Sequence, residues 1–157
     1  MITTNAMRLL KAARVPFEVR EYEVDESDLS GVHIAQSLGI DKDTMFKTLV
    51  AHAEKNYYVF CIPSGEELDL KKCASLTGEK KIEMLPMKEL LSVTGYIRGG
   101  CSPVGMKKKF PTFIDRGALA FDQITVSSGT RGAQLLLDRA RLIDFVQATV
   151  AELVTSD

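Results

Sequence analysis

The chain has 157 residues, 45% of them hydrophobic and 26% charged, with a formal net charge of −1. That length predicts one domain over residues 1–157, burying roughly 70% of the surface its unfolded chain exposes. Apolar runs such as Val59-Phe60-Cys61-Ile62 stop far short of the ~20 residues of a membrane span, and Arg8, Lys11 and Arg14 break any signal-peptide core; a cytosolic protein without membrane attachment is expected.

Thr3 or Thr4 is placed to cap a first helix reaching about Ala13, with Met7, Leu9 and Leu10 as its apolar stripe. Pro16 ends it, and Phe17 to Tyr22 alternates as a half-buried strand. The acidic stretch Asp25 to Asp28 reads as loop, followed by a short helix from about Val32 to Leu38 closed by Gly39. Met45 to Ala53 and Tyr57 to Ile62 predict two neighbouring strands turning at Glu54-Lys55-Asn56. Helices follow at Leu70 to Leu76, ending at Gly78, and at Met87 to Val93, ending at Gly95. Strands are predicted at Thr112–Asp115, Gln123–Ser127 and Gln134–Leu137, with a tight turn over Ser128-Gly129-Thr130-Arg131-Gly132. A last helix, capped by Asp138, is expected from Arg139 to Leu153, presenting Leu142, Phe145, Val146, Thr149 and Val150 on one face. Interspersed elements with at least one hairpin predict a mixed sheet in an α+β (mixed α/β) domain.

Chemistry concentrates in Tyr96-Ile97-Arg98-Gly99-Gly100-Cys101-Ser102-Pro103-Val104-Gly105. Adjacent glycines let a ligand approach the main chain, and Pro103 stiffens the segment. Peptide N–H groups held this way can receive a developing oxyanion; a rigid surface turn is the plain alternative. Lys47 is the sharpest single side chain. It sits in the apolar Met45-Phe46-Lys47-Thr48-Leu49-Val50, where a charge is costly unless it faces a pocket or its head reaches water. The hydroxyl-rich Ser127-Ser128-Gly129-Thr130-Arg131-Gly132 lacks the Gly-Lys-Ser/Thr ending of a nucleotide-hydrolysing loop and suits a pocket wall or a hairpin turn. Cys61, Cys73 and Cys101 are odd in number with no C-x-x-C pair, and only His33 and His52 accompany them, so neither a disulfide framework nor a zinc site is expected. Cys101 lacks a sequence-adjacent activator, yet its place in the loop keeps it a candidate thiol. Lys71-Lys72, Lys80-Lys81 and Lys107-Lys108-Lys109 read as solvated faces or as phosphate-binding patches.

Tyr22, Phe46-Lys47-Thr48-Leu49, Thr94-Gly95-Tyr96 with the glycine loop, and Val126 to Gly132, taken in order with Glu67 to Lys72 and Pro111 to Asp115 between them, resemble the YbaK/EbsC family, within it the Cys-tRNA(Pro) deacylases. The likeness runs from about Thr4 to Leu153. It implies a strongly curved, mostly antiparallel mixed sheet surrounded by helices, related to the editing insertion of bacterial prolyl-tRNA synthetases. It implies cleavage of cysteine from mischarged Cys-tRNA(Pro), and of Cys-tRNA(Cys) as a further substrate, without cofactor or metal, at the acceptor end of the tRNA and in a complex with the synthetase. Lys47 falls on the family's functional lysine, Gly99 to Pro103 on its G-x-x-x-P loop, and Tyr22, Thr48 and Ser127 on pocket positions. The catalytic set is then Lys47, Gly99, Gly100, Cys101 and Ser102. The substrate-binding set is Tyr22, Ser30, Thr48, Pro103, Ser127, Ser128, Arg131 and Gln134. Two positions depart: Gln134 stands where relatives can carry an acid, and Ser30 where an aromatic pocket residue occurs. In the family's scheme the substrate thiol attacks its own ester, so no enzyme nucleophile is required. Deacylation of Ala-tRNA(Pro), which would need activated water, and a non-catalytic tRNA- or synthetase-binding module are the competing readings.

Overall fold

Residues 3–156 of the computed structural model are described here, and they run α1 (Asn5–Ala12), β1 (Phe17–Glu21), α2 (Gly31–Leu38), β2 (Phe46–His52), β3 (Tyr57–Pro63), α3 (Leu70–Thr77), β4 (Glu83–Met84), α4 (Leu90–Thr94), β5 (Thr112–Asp115), β6 (Gln123–Ser127), β7 (Ala133–Asp138), α5 (Arg139–Val146) and β8 (Thr149–Ala151). Single 3₁₀ turns occupy Lys42–Thr44, Met87–Glu89 and Arg116–Ala120. Alternation within β3 sets the layering. Tyr58, Phe60 and Ile62 pack on Cys73 and Ala74 of α3, while Val59 and Cys61 face the opposite way, toward Ile124 and Leu135 of β6 and β7. A strand buried on both faces has to be central, and β3 is: the order is β4-β2-β3-β5-β8.

The second sheet, β1-β7-β6, is wholly antiparallel. In the larger sheet β2 pairs antiparallel with β3 and β4, whereas β5 runs parallel to β3 and β8 parallel to β5. The mixed, mainly antiparallel α+β architecture is therefore as expected, but as two sheets instead of one. A parallel bridge between Met45 and Thr125 joins them at one edge. The main core fills the space between the sheets and is closed by Ala6, Met7 and Leu10 of α1 and by Leu142 of α5.

Local chemistry accounts for most boundaries. Thr4, not Thr3, caps α1: its hydroxyl accepts from Met7 N–H at 3.2 Å and donates to Ser128 O at 2.6 Å. Ser30, Asp69 and Asp138 cap α2, α3 and α5 in the same way. The last helix is shorter than expected. It stops at Val146, Gln147 takes a left-handed φ of 56°, and Thr149 and Val150 belong to β8. Their β-branched side chains suit a strand, and the open side of β5 supplies a partner that outweighs the helical spacing.

Candidate active site

β2 has two neighbours on its outer side, and neither covers its middle. β4 pairs only with Ala51 and His52, with Leu85 N–H donating to Val50 O at 3.0 Å, and β6 packs alongside but forms a bridge only at Met45. Along the uncovered stretch, residues 46–49, lies a cleft of about 430 Å³. Its walls include Ser30, Lys47, Thr48, Gly99, Cys101, Ser127 and Gln134 from the expected set. The parallel bridge brings β6 alongside β2, and Ser127 and Lys47, two residues beyond Thr125 and Met45 respectively, both line the cleft. Gln134 is the cross-strand partner of Ser127.

Lys47 is half-buried, and burial lowers its pKa below the ordinary 10.5, with Glu67 and then Glu66 pulling it back up. Among the described residues its ammonium makes no ion pair and no hydrogen bond within normal distance, leaving a cation available to the cleft.

The glycine segment is a turn in which Gly100 N–H donates to Ile97 O at 2.9 Å and Gly99 holds φ 83°. The Gly100 amide, one of the donors expected for an oxyanion, is engaged in this turn. Gly99 and Cys101 both line the cleft, and their N–H groups have no protein acceptor among the described residues. Gly100 matters sterically instead. A Cβ there would lie 3.1 Å from the Thr130 main chain, and Arg131 Nε donates to Arg98 O at 2.8 Å, so the glycine turn and the 128–132 turn lock face to face.

Five further expected residues, with Gly100, lie outside the cleft wall. Ser102 is buried and its Oγ accepts from Val104 N–H at 3.2 Å; Pro103 is buried beside it. Ser128 is buried with its carbonyl bound by Thr4, and Arg131 braces the loops. Tyr22 packs against the Ile34, Ala35 and Met45 cluster, its N–H donating to Gly132 O at 2.9 Å. These residues shape the cleft through the two turns instead of facing it.

Cys101 does reach the wall, but burial pushes its thiol up to about 12, with only a Thr94 hydrogen bond opposing. It stays protonated at neutral pH and is a poor nucleophile. Cys61 behaves alike, also at about 12 through burial, with Thr48 Oγ1 3.9 Å from its sulfur. Gln134 is 5% exposed, and among the described residues neither its Oε1 nor Thr125 Oγ1 has a hydrogen-bond partner, an arrangement that costs stability unless something else satisfies them. Among the described residues no group of three or more His, Cys, Asp or Glu is set to hold a metal ion, and no helix is long and apolar enough to cross a membrane.

Sequence reasoning missed the lining residues Met84, Leu85, Met87, Leu90 and Arg98. A two-residue strand such as β4 is too short to show periodicity. Arg98 was visible as the residue before Gly99, but nothing in its spacing marked it.

Residues 30–145 match the aminoacyl-tRNA editing domain family, and this chain belongs to that family. It is 45% identical over 155 residues to EbsC of Enterococcus faecalis, a protein provisionally named a Cys-tRNA(Pro)/Cys-tRNA(Cys) deacylase; the match covers 98% of this chain and 94% of that one. It is 28% identical over 98 residues to a proline–tRNA ligase of Shouchella clausii, covering 62% of this chain and 17% of the ligase. A solved structure described provisionally as a trans-editing enzyme for prolyl-tRNA synthetase superposes with a TM-score of 0.85 at 26% identity, covering 99% of this chain and 100% of that one.

Proposed function

We propose that this protein is a cytosolic, free-standing aminoacyl-tRNA deacylase that removes cysteine from mischarged Cys-tRNA(Pro) and also accepts Cys-tRNA(Cys). One observation carries the reading: a free, half-buried Lys47 ammonium shares a cleft with two uncommitted main-chain amides, and the thiol in that wall is held protonated. Such a site can hold and polarise an ester but offers no ready nucleophile. It suits a substrate that brings its own.

Lys47 anchors the aminoacyl-adenosine end, and the Gly99 and Cys101 N–H groups face the carbonyl oxygen as it becomes an oxyanion. The cysteinyl sulfur attacks the ester carbon, forming a C–S bond. The bond to the ribose oxygen breaks, and that oxygen takes the thiol proton. Water then opens the resulting thiolactone to free cysteine. Holding the thiol and ester together contributes up to about 7–11 kcal/mol in well-oriented systems. Ser30, Thr48, Ser127 and Gln134 line the aminoacyl end, with Tyr22, Gly100, Ser102, Pro103, Ser128 and Arg131 as support. Selectivity among tRNAs is supplied by a complex with prolyl-tRNA synthetase, a role supported by the related segment inside the ligase.

Purified protein mixed with Cys-tRNA(Pro), Ala-tRNA(Pro) and Ser-tRNA tests this by loss of ester. The cysteinyl ester should be cleaved and the others spared, and Cys101→Ser should keep turnover. Comparable cleavage of the alanyl ester would replace self-attack by activated water. An inactive but folded Cys101→Ser would restore an enzyme thiol to the mechanism. Binding of tRNA with no ester cleaved would leave a non-catalytic module.

A further inference from the structure

A three-carbon aminoacyl group occupies only a small part of a cleft of about 430 Å³, a volume in the range that holds a drug-sized ligand. What fills the remainder can be read from the walls. The end nearest the β2–β6 bridge is polar: Lys47, Ser127 and Gln134. The other end is a shelf of Met84, Leu85, Met87 and Leu90. Met84 pairs with Ala51, four residues along β2 from Lys47, which is about 13 Å at the rise of a strand. The polar and apolar ends are thus separated by about the length of a nucleoside.

The shelf is also where apolar surface is left open to solvent. Met84 is 41% and Met87 58% exposed, although both line the cleft. A globular protein has no reason of stability to gather such side chains at the mouth of one cleft. Cations border them: Lys88 follows Met87, and Arg98, on the cleft wall, forms no ion pair among the described residues. An apolar, cation-edged surface fits a nucleobase carrying a phosphate, because a base stacks without needing sequence-specific partners and its phosphate seeks a free charge. Methionine, unbranched and polarisable, adapts to a ring face.

We infer that the Met84–Met87–Leu90 shelf is the subsite for the terminal purine base of the aminoacylated tRNA, with Arg98 on the phosphate that precedes it. This rests on the deacylase reading for the identity of the ligand. It adds residues that neither the expected site nor the chemistry of the ester includes. The shelf would fix the ribose ester over the Gly99 and Cys101 amides, so that the base sets the position of the reacting carbon.

The test pairs a protein change with a substrate change. Binding of uncharged tRNA ending in adenosine is compared with binding of the same tRNA whose last nucleotide lacks its base, for the wild type and for Met84→Ser/Met87→Ser. Both methionines are exposed, so the double variant should melt close to the wild type. Removing the base should weaken wild-type binding roughly tenfold and leave the variant unchanged, the non-additivity expected of groups in contact. With Cys-tRNA(Pro), the variant should show KM raised by a similar factor at nearly constant kcat, and Met87→Leu should restore most of the loss. Equal binding of the two tRNAs by the wild type, or an undiminished penalty in the variant, overturns the shelf. Base-dependent binding without cleavage of any cysteinyl ester would support the shelf and reject the deacylase reading alone.

Discussion

At Lys47 a stability prediction and a test of the proposed activity meet in one atom. Its folded-state pKa lies below its ordinary value of 10.5, so wherever the folded chain carries the charge it bears a desolvation cost that the unfolded chain escapes. As pH rises through the folded pKa, the ammonium loses its proton first in the folded protein and the cost fades. Lys47→Met should therefore raise Tm at pH 7, with the gain shrinking as pH approaches 10.5. Turnover of the cysteinyl ester should fall on the order of 100-fold, a loss of the size seen on deleting one preorganised contact. Thermal melts across pH and single-turnover assays read the two effects; a lowered Tm at pH 7 would mean that Lys47 is a structural cation. Gly100 calls for a steric prediction. Adding one methyl 3.1 Å from the Thr130 main chain should cost about 1–3 kcal/mol and splay the two turns apart. Gly100→Ala should lower both Tm and kcat/KM, as melts and ester assays on one preparation would show.

Among the elements, those with complete local signals were legible. α1, α2 and α3 each carry a hydroxyl or carboxylate cap, and α2 and α3 also end in glycine, while β2 and β3 show their pairing in composition. The failures share a cause. Val146 to Val150 satisfies a helical spacing, but the choice between helix and strand was made by β5, which the local pattern cannot report. β4 exists because Leu85 and Met84 find the end of β2, again a tertiary fact. The site divides in the same way. Lys47 and the glycine segment announce themselves by being chemically out of place, as a charge in an apolar strand and as paired glycines. Which glycine amide is free depends on a turn bond to Ile97 that the letters do not encode. Ser102 and Arg131 belong to the two motifs by their letters, but that the Ser102 hydroxyl accepts from Val104 N–H and that Arg131 Nε donates to Arg98 O are tertiary facts.

At the scale of the molecule, the lysine clusters offer less free charge than their number suggests. Lys72 is tied to Glu152 at 2.8 Å and to Val154 O, and Lys81 to Glu83 at 2.8 Å. Attraction to a polyanion is correspondingly modest and salt-sensitive. The larger sheet is held to the end of the chain by Asp115. Its buried carboxylate accepts from Gly117 N–H and from Leu153 N–H, each at 2.9 Å, 38 residues apart in the second case. Asp115→Ala orphans both amides and should cost about 3 kcal/mol, or roughly 6–12 °C in Tm for a domain of this size. Calorimetry would check it; a shift under 2 °C would mean that the strand pairing of β5 and β8 holds the terminus unaided.

Thr4 makes the front of the polypeptide answerable for its working end. One hydroxyl both starts the first helix and grips the carbonyl of Ser128, 124 positions later, in the turn that backs the glycine segment. Trimming the opening residues past Thr4 would therefore loosen the turn behind the cleft as well as the first helix.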